Sequence, residues 1–148
     1  MSEYLPAELR RLVRERANYR CEYCLIHENE SFLPHEPDHI IASKHRGLTT
    51  ASNLAWTCFT CNRAKGSDLS SVDPETGEIV RLFNPRSDTW VDHLELNEDG
   101  FLNAKSAIGR VTVSLLKLNR PELLAIRTLL SKTRRKPRLG GWTAMADH

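Results

Sequence analysis

The sequence lacks any long apolar run and any strong excess of charge of one sign. No apolar stretch approaches the ~20 residues that a transmembrane helix requires, so we expect no membrane association. The first residues, MSEYLPAELRR, contain no apolar core of a secretion signal, and a cytoplasmic location is therefore expected. Internal repeats and low-complexity segments are also absent. The net charge of +2 indicates no particular partner by itself.

The composition is that of an ordinary globular protein, with 40% hydrophobic and 27% charged residues. A length of 148 residues predicts one domain with room for an appendage. Such a chain buries a modest core, and a bound metal would help to stabilise it.

The basic residues are distributed unevenly. Five arginines precede residue 21, and a second basic run near the C-terminus contains no acid: Arg127, Lys132, Arg134, Arg135, Lys136 and Arg138. The acidic residues gather between Asp68 and Asp99. This asymmetry favours a polyanionic partner. A solvated tail would explain the C-terminal run equally well, and both interpretations can hold together.

All four cysteines fall into two CxxC motifs, Cys21-Glu-Tyr-Cys24 and Cys58-Phe-Thr-Cys61. Two such turns supply the four thiolates of a closed tetrahedral zinc site, which is structural rather than catalytic. Four unrelated cysteines are the alternative. A redox site needs only one CxxC motif and is disfavoured. Because 33 residues separate the motifs, we expect a segment inserted between them whose ends the zinc holds together.

The inserted segment contains the groups that phosphodiester hydrolysis needs, namely a base and oxygen ligands for a cation. Asp38 and His39 lie between the cysteine motifs with Asn53, and Asn62 follows the last cysteine. Singly, an Asp-His pair is usually a surface dipeptide and such an asparagine a helix cap. Their position around two cysteine motifs favours a nuclease.

Periodicity and turn residues predict an α+β protein. We expect a core over residues 1–70, a C-terminal α/β extension over 71–138 and a disordered tail over 139–148. Helices are predicted at 6–18, 62–69, 106–118 and 121–132. Strands are predicted at 38–41, 54–56, 79–83, 89–96 and 101–103, with turns at 73–77 and 97–100.

Residues 10–70 resemble the HNH endonuclease family. The resemblance rests on the two cysteine motifs, on Asp38-His39-Ile40-Ile41, on Gly47 and Asn53-Leu54, and on the run Asn62-Arg63-Ala64-Lys65-Gly66. It implies a ββα-metal (His-Me finger) core that carries its active site on two strands and a helix. The partner it implies is DNA, cut to leave a 5′-phosphate and a 3′-hydroxyl.

The resemblance also implies a role for each site residue. Asp38 and Asn62 would hold one catalytic Mg²⁺ or Mn²⁺, and His39 would be the general base. Asn53 would hold the loop and so orient His39. Asn62 stands where many family members have histidine, which makes this chain an HNN variant. Two other positions also differ from the common family pattern. Arg46 stands where family members often have glycine, and Ala42 stands where proline is common.

Several basic side chains are candidates for phosphate contacts, namely Arg46, Arg63 and Lys65. A solvated helical face is the alternative for Arg63 and Lys65. His45 is either an auxiliary ligand or an exposed loop residue. We expect His27 and His35 to be loop residues and Trp56 to pack in the core, while His93 receives no role.

Two rivals to the nuclease stay open. The chain could be a zinc-containing module that binds nucleic acid or protein without cutting, or a structural protein that zinc merely stabilises. In either case Asp38, His39 and Asn62 would be dispensable. Preference for DNA or RNA, a protein partner and a homodimer are also left open by the sequence.

Overall fold

A computed structural model describes residues 5–131 of the chain. The predicted tail at 139–148 and the basic residues from Lys132 onward lie outside these residues. The elements in chain order are α1 (Ala7–Arg16), β1 (Glu36–His39), β2 (Leu54–Thr57), α2 (Phe59–Lys65), β3 (Ser70–Val72), β4 (Ile79–Arg81), α3 (Trp90–His93), β5 (Leu94–Leu96), β6 (Leu102–Ala104), α4 (Ala107–Leu116) and α5 (Pro121–Ser131). The mixed helix and strand content agrees with the predicted α+β class.

The described strands form three separate antiparallel pairs, β1–β2, β3–β4 and β5–β6. In the first pair Asp38 lies opposite Ala55 and His39 opposite Leu54. Helix α2 follows directly on β2, so the chain runs through a hairpin into a helix. The side chain of Cys58 caps this helix by accepting from the Cys61 backbone N–H. Gly66, with φ of +52°, ends it.

Helix α2 therefore lies three to four residues earlier than the predicted helix at 62–69. The sequence prediction placed the start after the second cysteine motif, whereas the Cys58 cap draws that motif into the helix. Asn62 and Lys65 consequently sit within one helical turn of each other and on the same side of α2.

Two predicted strands differ from the observed ones. The strand predicted at 38–41 lies two residues too late, because β1 spans Glu36–His39, and the strand predicted at 89–96 was wrong in its first half. Residues 90–93 form the short helix α3, and the strand begins only at Leu94. Trp90 and Leu94 are four residues apart and each is 1% exposed, so a helical turn places both in the core. Strand β3 was not predicted, because Ser70-Ser71-Val72 has no apolar pattern. It forms by pairing with β4 across the turn at 73–77.

The main core joins the cysteine region to the C-terminal extension. One cluster of buried side chains contains Tyr23, Leu25 and all four cysteines together with Phe83, Trp90 and residues of α4 and α5. A smaller cluster packs Val13 and Ala17 of the first helical segment against β2. The core is therefore continuous across residue 70. Within residues 5–131, no helix is long and apolar enough to cross a membrane.

Candidate active site and metal centre

The two CxxC motifs meet in the core. Among the described residues, the sulfur atoms of Cys21, Cys24, Cys58 and Cys61 lie within 4.8 Å of one another, and all four side chains are buried. Each motif forms a tight turn in which the later cysteine's backbone N–H donates to the earlier sulfur. The nitrogen–sulfur distances are 3.5 Å in the first motif and 3.4 Å in the second. The cluster thus presents four sulfur ligands at one point.

The cluster has the dimensions of a tetrahedral zinc site. Zinc–sulfur bonds of ~2.3 Å place the sulfurs of a tetrahedron ~3.8 Å apart. The sulfur atoms of Cys24 and Cys58 are 3.7 Å apart. Burial raises the pKa of the Cys21 thiol well above its ordinary value. Four thiolates could therefore coexist here only around a cation that offsets their charge, and the donor set fits zinc.

The side chains of Asp38 and His39 leave β1 in opposite directions, as neighbours on a strand do. Asp38 is directed toward α2, where one carboxylate oxygen lies 2.9 Å from the Lys65 ammonium nitrogen. Its side chain is only 11% exposed. Burial raises the pKa of the Asp38 carboxyl, while the neighbouring Lys65 charge opposes that rise.

His39 is directed toward the loop between β1 and β2. Its Nε2 atom lies 2.8 Å from the hydroxyl oxygen of Thr49. The ring is partly exposed, in contrast with the buried cysteines. The loop that it contacts contains two short 3₁₀ turns, Ser43–His45 and Ala51–Asn53. A partly exposed imidazole beside a polar loop is accessible to a water molecule and a substrate.

Asn53 cross-links this loop to the end of β1. Its amide nitrogen donates to the carbonyls of Ile41 and Leu48, at 2.9 and 2.8 Å. Its amide oxygen accepts from the Ile41 backbone N–H at 2.9 Å. These are the backbone hydrogen bonds that the family resemblance implied, and they lie two residues from His39. The effect of these hydrogen bonds on the orientation of His39 in catalysis stays a prediction.

The glycine of the loop is required by this close packing. A Cβ atom at Gly47 would lie 1.6 Å from the Ile41 carbonyl oxygen and 2.9 Å from the Asn53 amide nitrogen. The preceding residue, Arg46, is exposed and adopts a left-handed conformation with φ of +71°. The loop thus accommodates an arginine at a position where glycine is frequent in the family, and the hydrogen bonds of Asn53 are still formed.

Asn62 and Lys65 project from the same side of α2. Asn62 is half-buried, and its side-chain amide has no hydrogen-bond partner among residues 5–131. Its oxygen is thus available to another ligand. Lys65 is 3% exposed, and its ammonium group donates to the His39 carbonyl at 3.0 Å besides pairing with Asp38. The helix face that carries Asn62 is therefore held against β1.

The burial of Lys65 differs from the sequence-based interpretation. We expected this side chain on a solvated face or against phosphate, but the structure places it inside the motif. Arg63 is exposed, and its guanidinium lies 5.2 Å from the centre of the Phe59 ring. Of the three basic candidates, Arg46 and Arg63 are accessible to phosphate, whereas Lys65 contacts Asp38 and backbone.

Three other histidines of the described residues lie in or beside loops. His35 is 1% exposed and its Nε2 atom lies 3.1 Å from the Ile26 carbonyl oxygen. His27 accepts from the Asn29 backbone N–H and caps the 3₁₀ turn Glu28–Glu30. His45 is exposed in the loop. Trp56 is 1% exposed, which confirms the predicted core position.

Sequence reasoning missed several buried charged residues that fix the motif in place. Glu22 is fully buried, accepts from the Trp56 backbone N–H and pairs with Arg86. Arg16 donates to the carbonyls of Ala51 and Leu54. The local sequence does not indicate these contacts, because they join distant parts of the chain. The partners of Arg86, for example, lie 32 and 64 positions away.

Arg127 also corrects an expectation. We grouped it with the C-terminal basic run, but it is fully buried and donates to the backbone carbonyls of Cys24, Gly100 and Leu118. Its charge is used inside the fold rather than offered to a polyanion. The rest of that run lies outside the described residues.

Comparison with known proteins identifies the same region. The model of the HNH endonuclease family matches residues 21–68. The Septu protein PtuA of Bacillus mycoides (strain KBAB4) is 28% identical over 146 residues, covering 80% of this chain and 20% of that protein. The Septu protein PtuB of the same strain is 26% identical over 157 residues, covering 87% and 52%. The chain spans about half or less of these relatives, and no solved structure matches it significantly.

The matched region begins at the first clustered cysteine, and it contains the hairpin, the Asn53 cross-link and helix α2. Its limits agree with the part of the sequence that carries the resemblance. Residues 21–68 therefore match the HNH endonuclease family, and the clustered cysteines, the hairpin and helix α2 all lie within or at the edge of this match.

Proposed function

We propose that this chain is a metal-dependent DNA endonuclease that hydrolyses phosphodiester bonds with one active site. The observation that carries the proposal is the arrangement around β1. Asp38 faces the helix that carries Asn62, and His39 faces the loop that Asn53 holds. A carboxylate and an amide oxygen are thereby separated from an imidazole by one strand. This is the minimal set for hydrolysis: ligands for a cation on one side and a base on the other.

His39 is proposed as the general base that takes a proton from the attacking water. The unperturbed pKa of histidine suits proton transfer near neutral pH. Thr49 and Asn53 hold the ring and its loop, so that the receiving nitrogen keeps one orientation. Positioning of this kind lowers the entropy cost of bringing base, water and phosphate together.

Asp38 and Asn62 are proposed to hold a Mg²⁺ or Mn²⁺ ion. Both supply hard oxygen ligands, and such ions keep several waters and complete their shell with phosphate oxygens. When bound, the ion would stabilise negative charge on the scissile phosphate and on the leaving oxygen. Lys65 would keep the Asp38 carboxylate and α2 in register with each other.

Four-cysteine zinc binding is proposed as the structural support of this site. Cys58 and Cys61 lie at the start of α2. Between Cys21 and Cys24, the backbone N–H of Glu22 donates to the Trp56 carbonyl of β2 at 2.9 Å. A zinc ion at the cluster would therefore fix the helix relative to β1 and β2. Zinc in such closed sites contributes directly to folding.

Arg46 and Arg63 are proposed to contact phosphates of the substrate, because both are exposed near the site. Contacts of this kind position the backbone without reading base sequence. The likeness to two Septu proteins further leads us to propose that the chain acts in a system of the Septu type. A protein partner or a second copy of the chain would fit that proposal.

A second candidate function has one observation in its favour. The Asp38 carboxylate is already paired with the Lys65 ammonium, and a cation must share it. A module that binds nucleic acid without cutting would need no further ligand at this position. This rival predicts that loss of His39 leaves every measurable property of the protein unchanged except local stability.

Plasmid nicking distinguishes the two candidates. Purified protein is incubated with supercoiled DNA and Mg²⁺, Mn²⁺ or EDTA, beside the His39→Ala variant prepared in parallel. The nuclease proposal expects metal-dependent cutting and a loss of ~10²–10⁴-fold in rate on removal of the base. Equal cutting by both proteins would refute the assignment of His39, and absence of cutting with every metal would favour the binding module.

A further inference from the structure

The turn between α4 and α5 brings an arginine against the cysteine cluster. One terminal nitrogen of Arg120 lies 3.7 Å from the sulfur of Cys58 and 3.9 Å from that of Cys61. Both distances are those of hydrogen bonds to sulfur. The arginine belongs to the C-terminal extension, about 60 residues beyond the motif in sequence. No feature of the CxxC motifs indicates such a partner.

The guanidinium of Arg120 is held in this position by the fold. Its other terminal nitrogen donates to the carbonyls of Leu116 and Lys117, each at 3.0 Å. The side chain is 12% exposed. A weak ion pair with Glu122 at 3.4 Å involves the remaining nitrogen. Because α4 ends in these carbonyls, the side chain needs little ordering to meet the sulfurs.

A hydrogen-bonded cation would offset the negative charge of the proposed zinc site. Four thiolates around Zn²⁺ leave a net charge of −2 in a buried environment, where charge is costly unless it is paired. Arginine is permanently protonated and offers several donors in a fixed plane. Two N–H···S contacts to one motif would reduce the charge on Cys58 and Cys61 and slow their release of the metal. Partners of metal ligands typically change affinity by ~10–100-fold.

The extension contacts the other motif in a different way. Arg127 donates to the backbone carbonyl of Cys24 at 3.1 Å and does not approach a sulfur within hydrogen-bond distance. Arg127 thus fixes the first turn through its backbone, whereas Arg120 acts on the sulfur ligands of the second. The segment that contains α4 and α5 thus contacts both cysteine motifs.

We propose that Arg120 is a positioning residue of the four-cysteine metal site, which it closes by donating hydrogen bonds to Cys58 and Cys61. The inference rests on the proposed binding of zinc by the cluster. It assigns a role to the extension that is separate from DNA cleavage: retention of the structural metal.

The test measures metal release from the full chain loaded with zinc. Transfer of zinc to a chromogenic chelator is followed for the wild type, Arg120→Met, Arg120→Lys and the control Arg81→Met. Arg81 is an extension arginine that pairs with Asp88 and does not contact the cysteines. We expect Arg120→Met to lose zinc ~10-fold faster or more, Arg120→Lys to fall between it and the wild type, and Arg81→Met to behave as the wild type.

Equal release from wild type and Arg120→Met would overturn the inference. Faster release from Arg81→Met as well would also overturn it, because the effect would then reflect general loosening of the extension. A wild-type protein that binds no zinc would refute the proposed structural zinc itself, and this outcome is read directly from the metal content before any variant is compared.

A second readout covers the case in which Arg120→Met fails to fold. Cobalt(II) replaces zinc in the wild type and in Arg120→Lys, and the sulfur-to-cobalt charge-transfer absorption is recorded. Loss of N–H···S bonds raises the electron density on sulfur, so we expect this band to move to lower energy in Arg120→Lys. An unchanged band would contradict the proposal.

Discussion

The two candidate metal sites of this domain are built in opposite ways. The cysteine cluster is closed: its four side chains are 0–2% exposed, and they supply all the ligands of a tetrahedral ion. The site around Asp38 is open, because it offers two oxygen ligands beside a partly exposed histidine and an exposed loop. Closed sites are structural, and sites with open positions allow substrate and water to reach the ion. We propose that the first site supports the fold and that the second performs the chemistry.

The largest effect is expected from opening the closed site. In Cys61→Ser, a hard hydroxyl replaces a buried thiolate ligand, and zinc affinity collapses. Because structural zinc contributes folding energy on the order of 10 kcal/mol, the domain should lose its cooperative unfolding transition. Circular dichroism and bound-zinc content measure the outcome. A variant that binds no zinc but keeps the wild-type melting temperature would contradict a structural role for the metal.

The next effect concerns the ion pair between Asp38 and Lys65 at the open site. Lys65→Met leaves the Asp38 carboxylate without its cation in a largely buried position, which should cost about 3–5 kcal/mol of unfolding free energy. Denaturant unfolding with and without Mg²⁺ is the measurement. If the ion binds Asp38, its charge should restore part of the lost stability.

The matched control for that prediction is Lys44→Met, which removes an exposed lysine in the loop. We expect its unfolding free energy to change little, because a solvated side chain makes no buried ion pair. Equal loss of stability in the two variants would show that the ion pair of Lys65 with Asp38 contributes no more to the unfolding free energy than an exposed lysine does.

A smaller effect is expected from the loop that holds His39. Asn53→Ala removes three hydrogen bonds to the backbone at Ile41 and Leu48, each worth about 1 kcal/mol net. We expect a stability loss of about 1–3 kcal/mol and a reduced cleavage rate with unchanged zinc content. Cleavage kinetics and metal analysis on one preparation separate these readouts. A variant with lost zinc would show that the open and closed sites are not independent.

The smallest effect is expected at the substrate surface. Arg63→Gln removes one exposed positive charge on α2, so DNA affinity should fall a few-fold and the salt dependence of binding should decrease by about one phosphate contact. Fluorescence anisotropy in a His39→Ala background measures binding without cleavage. Arg11→Gln, an exposed arginine on α1, is the control, and an equal change in both variants would argue against a specific contact.

The contrast between local and tertiary contacts explains how much of the fold and of the site the sequence could predict. The cysteine motifs are local patterns with a known chemical purpose, so their convergence on one point was predictable. The hairpin was predicted because Asp38–Ile41 and Leu54–Trp56 are short apolar runs separated by a polar loop. Asn53 was recognised from the family resemblance, and the structure supplies the hydrogen bonds that this residue makes.

The residues that escaped prediction depend on tertiary contacts. A lysine after a helix turn looks solvated, and only the packing of α2 on β1 buries Lys65. Arg86 and Arg120 contact residues of the domain from the extension, so no local pattern marks them. Trp90 favours a strand by its residue type, but the spacing to Leu94 and the position of the core select a helical turn instead.

The most direct test of the account is selective metal removal from the wild-type protein. Zinc-loaded protein is treated briefly with EDTA, desalted and analysed for zinc, circular dichroism and plasmid nicking before and after addition of Mg²⁺. We predict that zinc and secondary structure persist, that nicking is lost, and that Mg²⁺ alone restores it. Nicking that persists without added metal, or that returns only with zinc, would contradict the division between a closed structural site and an open catalytic one.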